Sequence, residues 1–273
     1  MRILVSGGLG NQMFIYALYY AMKREGRKVQ LDASLYNFVQ MHNGYEISDL
    51  FETDKPYMTS NALYINWLRF LLKTGLFLTT DKLEYDDRIF STSSIYLRGY
   101  WQCDKYFEKY RTELLEIFKF KIISSPNQEI AHRMQDENSV SLHIRRGDYM
   151  DLSMYQGICT EEYYAKAVEY IKQSVASPHF YIFSNDIAWS KKFAESLNID
   201  YTIIDHNSGA DSYQDMYLMS QCKHNIIANS SFSWWGAYLN ANQNKLVIAP
   251  KGWDNTDSES YNKVRVPQSF IRL

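Results

Sequence analysis

Met1–Asp32 reads MRILVSGGLGNQMFIYALYYAMKREGRKVQLD, and its periodicities decide the fold. Arg2–Val5 is a short β-branched run, and glycines at positions 7, 8 and 10 crowd the turn behind it. Met13, Phe14, Ala17, Leu18, Ala21 and Met22 then recur at helical spacing until Gly26 stops them. Val29–Leu31 returns to strand character and ends at Asp32. Strand, glycine turn, helix and strand make one βαβ unit.

Working outward, the stretch from Tyr36 to Phe120 is aromatic and irregular, with helical patterns near Trp67–Leu72 and Tyr106–Phe118. A second alternation begins after Ser124-Ser125-Pro126-Asn127, which reads as a linker or a helix start. Strands are expected at Val140–Ile144, Phe180–Phe183, Tyr201–Ile204, Ile226–Ala228 and, last, Leu246–Ala249. Helices are expected at Glu161–Val175, Trp189–Leu197 and Asp211–Cys222. Short apolar strands alternating with amphipathic helices predict a parallel, doubly wound α/β sheet. The expectation is two Rossmann-like domains, 1–125 and 126–273, facing across a cleft. Ligands of such sheets sit beyond the carboxyl ends of the strands.

Bulk properties narrow the partners. At 273 residues the chain has room for two domains, and a net charge of −2 gives no reason to expect nucleic acid. The 23 tyrosines and 6 tryptophans suit carbohydrate surfaces, but they suit cores and interfaces equally well. Cys103, Cys159 and Cys222 are scattered and odd in number, which argues against a disulfide scaffold or zinc knuckle and fits a reducing compartment. The opening MRILVSGGLGNQ lacks the long apolar core of a signal peptide. Trp67–Leu78 is the most apolar stretch, yet Arg69 and Lys73 interrupt it. It reads as a core helix, with an amphipathic helix touching a membrane or partner as the alternative.

Four motifs stand at strand ends. Gly7-Gly8-Leu9-Gly10-Asn11-Gln12 allows close backbone approach to an anion or sugar at a helix start, although it serves equally as a tight turn. It is no full dinucleotide fingerprint, because Met13 stands where the third glycine would be. Asn11 and Gln12 offer two adjacent amides for fixing hydroxyls. His143-Ile144-Arg145-Arg146-Gly147-Asp148-Tyr149 places two guanidiniums at the end of a buried strand, a bidentate clamp for a diphosphate. A structural pair with Asp148 would occupy one of them instead, and His143 reads as a core histidine before it reads as a base. Ser184-Asn185-Asp186 offers ribose or base contacts, or merely a helix cap. Asn229-Ser230-Ser231-Phe232-Ser233-Trp234-Trp235-Gly236 supplies hydroxyls and N–H groups at a helix start, dense in donors for a simple cap. No D-x-D occurs, and no His, Cys or carboxylate cluster has metal-ligand spacing, so a metal-dependent transfer is not expected. Tyr19 and Lys23 form a Tyr-x-x-x-Lys, but on the first helix, the wrong place for a short-chain dehydrogenase.

Taken together, GGLGNQMF, HNGYE at His42–Glu46, RGYWQ at Arg98–Gln102, HIRRGDY, FSND and CKHNIIANSSFSWWGAYLN resemble the bacterial α-1,2-fucosyltransferases in order and approximate spacing. The resemblance spans most of the chain and implies a GT-B-like fold with GDP-fucose as donor substrate. It implies an inverting transfer without metal or other cofactor, onto the 2-OH of a terminal galactose in an acceptor glycan. Arg145 and then Arg146 would hold the diphosphate, with His143 toward guanine and Asp186 near the nucleoside. Ser230, Ser231 and Phe232 would lie by the phosphates and fucose. Gly8, Gly10, Asp148, Ser184, Asn185, Asn229 and Ser233 complete the expected donor site, and Asn11 would reach the reaction centre. Around Cys103, and at Ile15, Tyr19 and Tyr20, the sequence departs from the commonest family pattern. A nucleotide-sugar epimerase or dehydrogenase, and a non-catalytic carbohydrate-binding protein, are the rival classes. The first would need a better cofactor fingerprint; the second would not need two phosphate cradles. A cytoplasmic location is expected, with peripheral contact at the inner membrane face compatible with it.

Overall fold

A computed structural model of the chain describes residues 1–39, 41–82, 84–146, 152–255, 262 and 264–273. It divides into two compact units, Met1–Lys121 and Ile122–Leu273. The sequence reading places that division a few residues later, between 125 and 126; Ile122 to Ser124 instead lead into the first helix of the second unit, Ser125–Asp136.

The first unit is built on four parallel strands: β1 (Arg2–Leu4), β2 (Gln30–Asp32), β3 (Leu78–Thr80) and β4 (Tyr96–Arg98), in the order β2-β1-β4-β3. Helix Leu9–Arg24 joins β1 to β2, as the opening βαβ pattern predicts. Strands β3 and β4 fall inside the stretch that reads as irregular. Each is only three residues long, too short for alternation to register, and each is fixed by pairing with a neighbour. Helix Ala62–Thr74 lays Leu68 and Leu71 against Leu4 and Tyr96. It is therefore only half a core helix, because its other side stays bare. Tyr106–Phe118 resolves into two short 3-10 turns and helix Arg111–Ile117.

The second unit carries six parallel strands: β5 (Ser139–Ile144), β6 (His179–Ser184), β7 (Asp200–Ile204), β8 (His224–Ile226), β9 (Val247–Ala249) and β10 (Ile271–Arg272). Their order, β7-β6-β5-β8-β9-β10, is the 3-2-1-4-5-6 arrangement of a Rossmann sheet. Along β6 the pleat sends Phe180 and Ile182 to one core, with Tyr164, Val168 and Ile171 of helix Glu161–Ser174. Tyr181 and Phe183 face the other core, with Met134, Leu218 and Met219 from helices Ser125–Asp136 and Tyr213–Gln221. Helices thus cover both faces. The strand expected at Ile226–Ala228 ends at Ile226, and Leu246–Ala249 is not the last strand, because β10 pairs along β9. Helix Ser231–Leu239 packs so tightly on Tyr213–Gln221 that a Cβ on Gly236 would lie 2.8 Å from Met219 Cβ.

Candidate active site

In the second sheet the strand order turns back between β5 and β8, and the crevice at their carboxyl ends is where this topology places a ligand. Arg145 and Arg146 follow β5, and Asn229–Ser233 follows β8 within a few residues, so the two most specific motifs of the sequence converge there. The backbone N–H of Arg145 is held by the Tyr164 hydroxyl at 3.3 Å, and that of Arg146 by Asn185 Oδ1 at 3.0 Å. The Arg146 guanidinium lies 4.0 Å from the centre of the Trp189 ring, with Nε 3.7 Å from Asp186 Oδ2. Asp186 is thus a carboxylate beside Arg146; Asp148, expected to pair with one arginine, and Gly147 lie outside the described residues. Both arginines are half-buried, a setting in which each charge is worth more than in water.

The remaining predicted residues sort by what already occupies them. Ser230 caps helix Ser231–Leu239, its Oγ accepting from Phe232 N at 3.3 Å. Ser233 is buried and donates back to Ala228 O and Ser230 O. Asn229 is buried with its amide committed at both ends, accepting from Cys159 Sγ and donating to Trp253 O at 2.9 Å. Asp186 caps its helix through Trp189 N at 3.1 Å, and Ser184 accepts from Asp186 N at 3.0 Å. Both cap readings hold, while Ser231, Phe232, Ser184, Asn185 and Asp186 keep accessible surface at the rim. His143 is buried, its ring 6.3 Å from that of Phe232, and Nδ1 has no hydrogen-bond partner among the described residues. Burial, and then the charge of Arg145, push its pKa down to about 3. An imidazole so depressed is a neutral hydrogen-bonding group and a poor proton acceptor at neutral pH.

The first sheet has its own reversal, at β1, with β2 on one side and β4 on the other. Gly7 adopts φ +80° and Gly8 precedes helix Leu9–Arg24, with Gly10 buried in its first turn. Gln12 is not available to a sugar. Its amide donates to Gly7 O at 3.1 Å and Gly44 O at 2.8 Å, and accepts from Glu46 N at 2.9 Å and Ile47 N at 3.2 Å. All four of its hydrogen-bonding positions tie the HNGYE loop to the glycine turn. Asn11 differs: it is half-exposed, with Oδ1 accepting from Gln102 Nε2 at 2.6 Å, and its Nδ2 lies so close to Gly7 that a Cβ there would come within 2.8 Å of it. The Gly8 backbone lies against the His42 ring, since a Cβ there would come within 3.2 Å of two ring carbons.

Two of the strained backbones of the chain sit in these same loops, His42 at φ +47° and Trp101 at φ +53°. Non-glycine residues are held this way only when their surroundings over-determine them, and such strain clusters at functional sites. Trp101 is buried, Asp81 Oδ2 holds its backbone N–H at 2.8 Å, and its indole N–H has no acceptor among the described residues. Glu46, half-buried beside Asn43, has its pKa raised by desolvation. His42, Gln102 and Glu46 belong to motifs visible in the sequence, but that they meet the glycine turn, through Gly8, Asn11 and Gln12 respectively, was not. Tyr164, Trp189 and Asp215 were missed as well. Asp215 accepts from Asn207 Nδ2 at 2.8 Å in the loop beyond β7, and burial pushes its pKa up to about 7.

Gly8, Gly10 and Asn11 thus lie on the first sheet, and the other described site residues on the second. Two parallel α/β sheets, the second in Rossmann order with paired arginines beyond its carboxyl ends, have the architecture of the GT-B-like glycosyltransferases. More narrowly, the chain belongs to glycosyl transferase family 11, whose family model matches residues 1–267. It is 33% identical to an alpha-1,2-colitosyltransferase of Escherichia coli, over 98% of this chain and 97% of that protein. It is 28% identical to galactoside alpha-(1,2)-fucosyltransferase 2 of Hylobates lar, over 85% of this chain and 67% of that protein. Among solved structures, fucosyltransferase NodZ from Bradyrhizobium shares the fold with a TM-score of 0.50 at 13% identity, covering 86% of this chain and 92% of that one.

Proposed function

We propose that this glycosyltransferase moves L-fucose from GDP-β-L-fucose to the 2-OH of a terminal galactose, with inversion and without a metal. The observation that carries the reading is the pair of half-buried arginines at the reversal of a Rossmann-ordered sheet, beside the start of helix Ser231–Leu239. As the bond from the fucose C1 to the phosphate oxygen breaks, its electron pair leaves with GDP. Arg145 first, and Arg146 second, neutralise that charge, aided by the Ser231 N–H at the positive end of its helix, with Phe232 beside it. His143, Ser184, Asn185 and Asp186 serve the nucleoside, while Asn229, Ser230 and Ser233 hold the loop that presents the helix start. Asp148 follows the arginines in the same motif and is assigned to orienting them. The acceptor oxygen bonds to C1 from the opposite face and gives up its proton late, to solvent water. Asn11 orients that hydroxyl, so that proximity carries much of the barrier reduction. Gly8 lets the turn before Asn11 pack against the His42 ring, and Gly10 is buried in the helix start behind it.

The test is to incubate the protein with GDP-fucose, β-galactosides and excess chelator, and to read the product linkage by NMR. A 2-linked α-fucoside formed in chelator is the expected result. Absence of transfer together with absence of GDP binding would overturn the reading. A second donor deserves the same assay, because of the colitosyltransferase relative. Colitose is fucose without its 3-hydroxyl, and a site that hydrogen-bonds that hydroxyl discriminates by roughly 10⁴-fold in kcat/KM.

A further inference from the structure

Helix Ala62–Thr74 buries Ile65, Leu68 and Leu71 but leaves Leu63 81%, Phe70 54% and Trp67 41% exposed. These three stand four and three residues apart and so share one face. Gly75, in the left-handed region, ends the helix, and the loop behind it presents Leu76 and Phe77, both more than half exposed. Phe77 O accepts from Ile95 N at 2.9 Å, which brings the exposed Ile95 beside them. The Trp67 ring lies 5.6 Å from those of Tyr64 and Tyr96, over a cavity of about 430 Å³ whose lining includes Arg2 and Ile95. Apolar residues exposed singly need no explanation, but six large ones in one region mark an interaction surface.

Charge decides what it meets. From residue 56 to residue 80 there is no Asp or Glu, and the only charged side chains are Arg69 and Lys73. Both are exposed, and neither forms an ion pair among the described residues. The whole chain carries −2, so this cationic bias is local. A second copy docked here about a two-fold axis would bring like charges together. An anionic lipid surface instead accepts both parts, the rings and leucines below the headgroups and the two cations among them. We propose that this ridge docks the protein peripherally on an anionic bilayer, independently of the transfer chemistry.

The experiment is vesicle co-sedimentation of the whole chain, with phosphatidylcholine alone or with about one-third phosphatidylglycerol. Binding to the anionic vesicles, weakening with salt and about tenfold or more poorer on neutral ones, is expected. Arg69→Glu/Lys73→Glu should lower it by a further factor of about ten or more. Leu63→Ser/Phe70→Ser, at exposed positions, should abolish it while circular dichroism and the melting temperature stay those of the wild type. Wild-type protein that ignores anionic vesicles, or vesicle binding indifferent to both variants, would overturn the proposal. So would a dimer in solution that Leu63→Ser/Phe70→Ser dissociates while vesicle binding persists.

Discussion

The carboxyl ends of the two sheets are built on the same parallel topology but carry different chemistry. Beyond β5 and β8 stand two guanidiniums and a capped helix start, with Asp186 against Arg146. Beyond β1 and β4 stand amides, aromatic rings and tightly turned backbone: Asn11 on Gln102, His42 over Gly8, and Trp101 in a left-handed conformation. On the function proposed above, one rim would hold negative charge and the other would fix neutral hydroxyls. Topology chooses where a ligand sits, and the residues at the strand ends choose which ligand.

The sharpest way to break this contrast is Arg145→Ala. Loss of a guanidinium that meets charge in the transition state should lower kcat/KM by about 10²–10³-fold while circular dichroism and melting stay unchanged. Activity within a few fold of wild type would remove the clamp. Asn11→Ala should act differently, lowering kcat by roughly 10- to 100-fold through lost orientation, as steady-state assays with varied acceptor would read. The smallest effect concerns Asp215. Its folded pKa of about 7 stands above the ordinary 3.8, so folding favours the protonated form. The stability this confers is fully present below about pH 4 and is lost as pH rises through 7. Asp215→Asn, which keeps the bond from Asn207, should match wild type near pH 4 and exceed it by about 1–2 kcal/mol at pH 8, discounted for partial exposure. Denaturant midpoints at the two pH values check this, and equal differences at both would refute it.

How much of this was legible varies by region for physical reasons. Strand β6 carries a continuous apolar run, Phe180–Phe183, because both sheet faces are covered. Strand β5 instead alternates Val140, Leu142 and Ile144 with buried Ser139, Ser141 and His143, and its carboxyl end pointed directly to Arg145 and Arg146. Strands β3 and β4 have three residues each, so the first rim stayed invisible although its HNGYE and RGYWQ motifs were in plain view. Gln12 misled because its partners, Gly44, Glu46 and Ile47, lie more than thirty residues away along the chain. Backbone strain such as that of Trp101 leaves no trace in residue type. The Trp67–Leu78 stretch was read as core against surface, whereas the helix is both.

The most direct test of the division between the rims is calorimetric titration of GDP into wild-type protein, Arg145→Ala and Asn11→Ala. The account predicts that Arg145→Ala weakens GDP binding by about 100-fold, as loss of a charge-assisted contact does, while Asn11→Ala leaves Kd within about twofold. Binding that survives Arg145→Ala but fails in Asn11→Ala would place the nucleotide on the other sheet and contradict it.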